Sequence, residues 1–109
     1  MAPQVDTQCS AFQTAIDILG RPWTAKILNA LQDGPLRFCG IGDAVPGIGD
    51  KVLSARLKEL EAKGLLVRTV EAGPPVKVAY ELTDQGRSFT KVAQAIHAWG
   101  IEMVAATKP

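Results

Sequence analysis

The residues best suited to covalent or metal chemistry are the two cysteines, Cys9 and Cys39, and the single histidine, His97. A thiolate is a nucleophile that oxidants attack, and both cysteine and histidine bind zinc. These three residues lack the close spacing of zinc ligands. A thiol peroxidase built on Cys9 would need a base and an enclosed site, and the sequence indicates neither nearby. We therefore expect no metal, no cofactor and no enzymatic activity, and we expect His97 to be structural.

A second kind of chemistry, the recognition of charged and hydrogen-bonding groups, is indicated by residues 50–63. On a helical wheel, Leu53, Leu57 and Leu60 form one apolar side. The opposite side carries two lysines, a hydroxyl and small side chains: Lys51, Ser54, Ala55, Lys58 and Ala62. Lysine attracts phosphates and guanine edges, serine donates or accepts, and alanine allows close approach to a thymine methyl group. Such a face could enter the major groove of DNA, although an ordinary solvated helix has the same composition.

Four further cations lie outside this face. Arg56 lies at the margin of the leucine side, where it could reach a phosphate or an internal carboxylate. Arg37 begins a short helix, from which it could contact a phosphate across the groove. Arg68 and Lys77 lie in two predicted strands, where we expect them to contact the DNA backbone. The formal net charge is only +1, so the case for DNA depends on where the charges lie.

The elements that must position these residues follow from periodicity and from helix caps. Residues 1–8 are predicted to be a loose tail, and Ser10 is predicted to cap a first helix that Gly20 ends. A second helix begins near Pro22 and ends before Gly34. A short third helix covers residues 38–44.

Residues 50–63 form the best-defined helix, which Gly64 closes. Residues 65–71 and 76–82 read as two strands joined by a proline-rich turn. Thr83 then caps a long final helix with a wide apolar stripe.

This order predicts one domain over residues 1–109, since 109 residues suit a single core. The fold class is α+β and mostly helical, a winged helix-turn-helix. Residues 37–63 form the helix-turn-helix, residues 65–82 a two-stranded wing, and residues 84–105 a dimerisation helix. The apolar stripe of that last helix is wider than one small domain can cover, which favours a partner.

Short motifs in the same order strengthen this interpretation. They are Gly20-Arg21-Pro22-Trp23-Thr24, Arg37-Phe38, Arg56-Leu57-Lys58-Glu59-Leu60-Glu61, Gly64-Leu65-Leu66-Val67-Arg68, Tyr80-Glu81-Leu82-Thr83, Gly86 and Trp99-Gly100. Together they resemble the HxlR-type transcriptional regulators, a branch of the MarR-like winged helices. The resemblance covers about residues 9–103.

The resemblance implies a homodimer that binds double-stranded DNA at a palindromic operator, with half-sites about one helical turn apart. It also implies that the first and last helices form the dimer interface, with these residues as candidates: Phe12, Ile16, Phe89, Ile96, Trp99 and Met103. In some relatives the cysteine near the N-terminus is a thiol switch, and Cys9 matches its position. Its expected place near a helix N-terminus would stabilise the thiolate. Cys39 is a second redox candidate but is expected to be a packing thiol.

Two other functions stay open at this point. A winged-helix module that binds proteins would show no salt-dependent binding to duplex DNA. A regulator that responds to a small ligand would need no redox chemistry, so the effector could be a small molecule or an oxidant.

The N-terminal residues lack an apolar secretion core, and no uncharged apolar run approaches the ~20 residues of a membrane span. We therefore expect a cytoplasmic protein with reduced thiols and no membrane partner.

Overall fold

The computed structural model describes residues 3–107, with side chains from Ser10 onward. Its six helices and three strands follow in chain order: α1 (Pro3–Leu19), α2 (Thr24–Ala30), β1 (Leu36–Arg37), α3 (Phe38–Ala44), α4 (Asp50–Ala62), β2 (Leu66–Glu71), β3 (Lys77–Leu82), α5 (Asp84–Arg87) and α6 (Phe89–Ala106). A single 3₁₀ turn, Leu31–Asp33, follows α2. The predicted winged helix-turn-helix is confirmed, with α3 and α4 as the helix-turn-helix.

The first helix begins earlier than the sequence predicted. α1 starts at Pro3, so residues 3–8 are helical rather than a loose tail, and residues 1 and 2 lie outside the described part. Proline suits the first helical position because its missing N–H would be unpaired there anyway. Ser10 therefore lies inside the helix and does not cap it. Cys9 lies in the second turn of α1, and the predicted stabilisation of its thiolate concerns a side chain outside the described residues.

The core forms where α2, α3, α4 and the sheet meet. Ten apolar side chains are buried there: Ile27, Leu28, Leu31, Ile41, Val45, Leu53, Leu57, Leu60, Leu66 and Leu82. The predicted leucine side of α4 is confirmed, since its three leucines are at most 2% exposed. α4 ends where Gly64 adopts a left-handed conformation (φ 79°) and Leu65 N donates to Leu60 O.

The sheet has three antiparallel strands in the order β1-β3-β2. β2 and β3 form the predicted wing, and each begins one residue later than the pattern suggested. The sequence did not indicate β1, which pairs Leu36 with Tyr80 and Arg37 with Ala79. Two residues are too few to show alternation, so the strand is defined only by its partner.

The final helical segment begins with the predicted cap, but it forms two helices instead of the single helix predicted. Thr83 Oγ1 accepts from Gly86 N at 3.1 Å, which confirms the cap. The single helix expected over residues 84–105 is instead α5 and α6, interrupted at Ser88 (ψ −17°). Glycine and serine are weak helix formers, and both lie at this interruption.

The start of α5 is tied to the end of α4. Thr83 Oγ1 donates to Gly64 O at 2.7 Å, and Thr83 N donates to Leu65 O at 3.0 Å. The close approach leaves no room for a side chain at Gly86, because a Cβ there would lie 2.2 Å from Leu65 O.

Within the part of the chain that the structure describes, no helix is both long and apolar enough to cross a bilayer.

We predict that Gly86→Ala destabilises the protein by about 1–3 kcal/mol, the usual cost of forcing atoms into a packed region. Urea unfolding followed by circular dichroism measures the change. Gly42→Ala is the matched control, because Gly42 is also helical and its added Cβ would lie 4.0 Å from the nearest side chain. That control should be neutral or more stable by up to about 1 kcal/mol. Equal unfolding midpoints for the two variants would contradict the prediction.

Candidate nucleic-acid interface

The outward side of α4 carries the predicted recognition residues. Lys51, Ala55 and Lys58 are exposed, and Ser54 is half-buried. They lie opposite the buried leucines, as the helical wheel predicted. α4 begins after Gly49, whose carbonyl accepts the first helical hydrogen bond from Leu53 N. The arrangement gives one helix a fully buried side and a basic, small-residue side.

Arg56 is held differently from these lysines. Its side chain is only 13% exposed. Its Nε donates to Pro22 O at 2.9 Å, and its Nη1 donates to Glu59 Oε2 at 3.2 Å. Of the two contacts that the sequence allowed, the structure shows the one to an internal carboxylate.

Arg21 completes this arrangement from the loop between α1 and α2. Its Nη2 donates to Glu59 Oε2 at 2.9 Å and its Nε to Oε1 at 3.4 Å. The hydrogen bond from Arg21 lowers the pKa of Glu59, and the same contact raises the pKa of Arg21. We call these three residues the Arg21–Glu59–Arg56 cluster. Sequence reasoning missed it, because Arg21 and Glu59 are 38 positions apart and show no shared pattern.

The register of the sheet separates the predicted cations of the wing. Arg37 lies opposite Ala79. Lys77 lies opposite Glu71, two residues along from Ala79. Since opposite and alternate residues share a face, Arg37 and Lys77 lie together on one side of the sheet. Arg68 lies opposite Tyr80 and therefore on the other side.

Cys39 is the cysteine whose side chain the structure describes. Cys39 is exposed in the first turn of α3, so the predicted packing thiol is wrong. Cys9 belongs to α1, but its side chain lies outside the described residues. His97 is exposed on α6. Among the described side chains, no three of the histidine, cysteine, aspartate or glutamate type come together as metal ligands would.

The candidate interface residues of α1 and α6 are largely open to solvent. Phe12 is 69% exposed and Trp99 is 62% exposed, and three others are also exposed: Ile16, Ile96 and Met103. Phe89 differs, because it is half-buried and packs against the core. None of the described residues of α6 is buried.

Comparison with known proteins agrees with this architecture. The sequence model of the HxlR-like helix-turn-helix family matches residues 18–108. The chain belongs to this family. It is 40% identical over 94 residues to the HTH-type transcriptional regulator YodB of Bacillus subtilis strain 168, covering 86% of this chain and 84% of YodB.

Two solved structures resemble this chain over most of its length. The crystal structure of quinone-bound YodB from B. subtilis has a TM-score of 0.77 at 36% identity, covering 86% of this chain and 99% of that one. The redox regulator HypR in its oxidized form has a TM-score of 0.78 at 30% identity, covering 84% and 95%. This HxlR-like chain is thus a transcriptional regulator of the helix-turn-helix type, in a family of DNA-binding regulators.

The lowered pKa of Glu59 predicts a pH-dependent loss of stability in Glu59→Gln. A carboxylate whose folded pKa lies below its ordinary value of about 4.3 adds stability above that value and loses it as pH falls through the folded pKa. The variant should therefore be less stable than the parent chain at about pH 7, and the difference should shrink toward about pH 3. Urea unfolding at both pH values measures it.

Glu61→Gln is the matched control, since Glu61 is exposed on the same helix and outside the cluster. Its difference from the parent should stay small at both pH values. A Glu59→Gln difference that is the same at neutral and acidic pH would show that the ion pairs do not cause it.

Proposed function

We propose that this regulator acts as a homodimer that inserts one α4 into the major groove at each half-site of a palindromic operator. The observation that supports this most directly is the two-sided character of α4. Its leucines are locked in the core while Lys51, Ala55 and Lys58 are exposed on the opposite side. The major groove admits an α-helix, and the bases there present distinct donors, acceptors and methyl groups.

The proposed contacts follow from side-chain type and position. Lys51 and Lys58 bind phosphates or guanine edges, Ser54 hydrogen-bonds at the groove edge, and Ala55 permits close approach. Arg37 and Lys77, on one side of the sheet, bind the phosphate backbone, and Lys77 does so beside the opposing Glu71.

Two of the predicted contacts are revised. Arg68 lies on the opposite side of the sheet and would need a separate phosphate. Arg56 is left out of the contact set because its guanidinium is occupied by Pro22 O and Glu59.

The proposed dimer buries the apolar residues that α1 and α6 leave open. Aromatic and aliphatic side chains at these levels of exposure are the type that protein interfaces bury, and tryptophan is enriched among residues that dominate binding. Phe12 and Ile16 on α1 and Ile96, Trp99 and Met103 on α6 supply such side chains. A twofold pairing would place two α4 helices about one DNA turn apart.

We further propose that an oxidant or electrophile changes operator binding through Cys9. Support comes from similar proteins, since one solved relative is quinone-bound YodB and another is an oxidized redox regulator. The exposed thiol of Cys39 is the second candidate. A small ligand is the alternative effector, favoured by an open cleft of about 440 Å³ between α2 and α6 that Lys26, Phe89 and His97 help to line.

We predict that Lys58→Ala weakens operator binding and lowers the magnitude of the salt slope by about 1, because one phosphate or base-edge cation is lost. A duplex enriched from a random pool by the parent protein serves as the probe, and fluorescence anisotropy at several salt concentrations measures affinity. Lys91→Ala is the control, with the same loss of charge on α6. Parent protein that shows no salt-dependent binding to any duplex would favour the protein-interaction module instead.

We predict that diamide or a quinone changes the affinity of the parent dimer for this duplex and that Cys9→Ser abolishes the change. The Cys39→Ser variant, tested in parallel, should still respond if Cys9 alone is the sensor. A response that survives in the double variant would exclude thiol chemistry. Binding that is indifferent to oxidant would leave DNA recognition intact and point to the ligand cleft.

A further inference from the structure

The corner between α1 and α2 has an unusual backbone. Trp23, the residue before α2, has φ 75° and is left-handed. It is the one non-glycine residue with positive φ among those that the structure describes. Residues with a bulky side chain rarely adopt this conformation unless their surroundings impose it.

The surroundings that impose it come from α4 and from the turn before it. The carbonyl of Pro22, next to Trp23, accepts from Arg56 Nε at 2.9 Å. The Trp23 ring lies against Gly47, where an added Cβ would be 3.4 Å from ring atom Cη2. Lys26 Nζ lies 5.2 Å from the centre of the same ring. The corner is therefore held by the turn before α4, through Gly47, and by α4 itself, through Arg56.

Arg56 makes contacts in two directions at once. One edge of its guanidinium binds the Pro22 carbonyl on the corner, and the other binds Glu59, one turn further along α4. Glu59 in turn accepts from Arg21, so a second link runs from α4 to the corner. A planar guanidinium can hold two such partners in fixed directions, whereas a lysine ammonium cannot fix them in the same way.

We infer that the Arg21–Glu59–Arg56 cluster sets the angle between α1 and the recognition helix and thereby the half-site spacing that the dimer accepts. The inference rests on the proposed function, in which α1 belongs to the dimer interface and α4 reads DNA. The three residues are positioning residues: they hold the α1–α2 corner on α4 and do not touch bases.

A small angular error at this corner has a large effect at the DNA. In a twofold dimer each α4 lies roughly 17 Å from the axis, half of the ~34 Å between half-site centres. A change of about 10° in the angle between α1 and α4, acting over a lever arm of that order, moves α4 by about 3 Å, close to the ~3.4 Å between successive phosphates of one strand. Loss of the cluster should relax the accepted spacing without changing the bases that α4 prefers.

The test is selection from a pool of random duplexes, long enough to hold two half-sites, with the parent protein and with Arg56→Lys, Glu59→Gln and Arg21→Gln. Glu61→Gln is the control on the same helix. Sequencing the bound pools gives both the half-site sequence and the spacing. Anisotropy on two synthetic duplexes, one with the selected spacing and one longer by a base pair, gives the discrimination between spacings.

The parent protein and the Glu61→Gln control should enrich inverted repeats of one spacing. The three cluster variants should keep the same half-site but accept two or more spacings, with discrimination reduced by about tenfold. Because the side chains of Arg21 and Glu59 are partly exposed, we expect the Arg21→Gln and Glu59→Gln variants to fold even if Arg56→Lys does not. Circular dichroism measures whether each variant is folded.

Three outcomes count against the inference. Variants that bind more weakly but keep the single spacing would assign the cluster a role in stability only. A changed half-site sequence at constant spacing would make Arg56 or Glu59 a direct reader of bases. Parent protein that enriches no inverted repeat would instead overturn the proposed function itself.

Discussion

The whole DNA-facing geometry depends on the burial of three leucines of α4. Leu53, Leu57 and Leu60 are almost entirely removed from solvent, and burying one leucine contributes about 1.5–3 kcal/mol. Because successive residues are 100° apart on a helix, a rotation by one position would expose all three and bury charge in their place. Packing therefore decides which residues of α4 point outward. Burial of the three leucines places Lys51 and Lys58 on the exposed side of the helix.

Features of the fold that depend on local sequence could be predicted. The bounds of α3, the buried side of α4 and the cap at Thr83 were correct, because caps and helical periodicity act within a few residues. The outward residues of the candidate interface followed from the same periodicity. Once the leucine side is known, Lys51, Ala55 and Lys58 can lie only on the opposite side.

Features that depend on residues far apart could not be predicted. β1 exists because Tyr80 and Ala79 of β3 offer it a partner, and its own two residues carry no signal. The same is true of Arg21 and Glu59, which meet only after α4 has docked against the corner. The separation of Arg68 from Lys77 required the register of the hairpin, since both looked alike as cations of two neighbouring strands. Trp23 adopts a left-handed backbone conformation that tryptophan rarely adopts. Sequence alone therefore favoured an ordinary helix start at Pro22.

The absence of any buried residue in the described α6 has a consequence for gene control. In the proposed dimer, the long helix is fully packed only when two chains meet, so assembly follows mass action. Well below the dissociation constant of the dimer, the amount of operator-competent protein rises with the square of chain concentration. The range of expression over which the regulated promoter passes from free to occupied is then narrower than it would be for a monomeric regulator, without any effector.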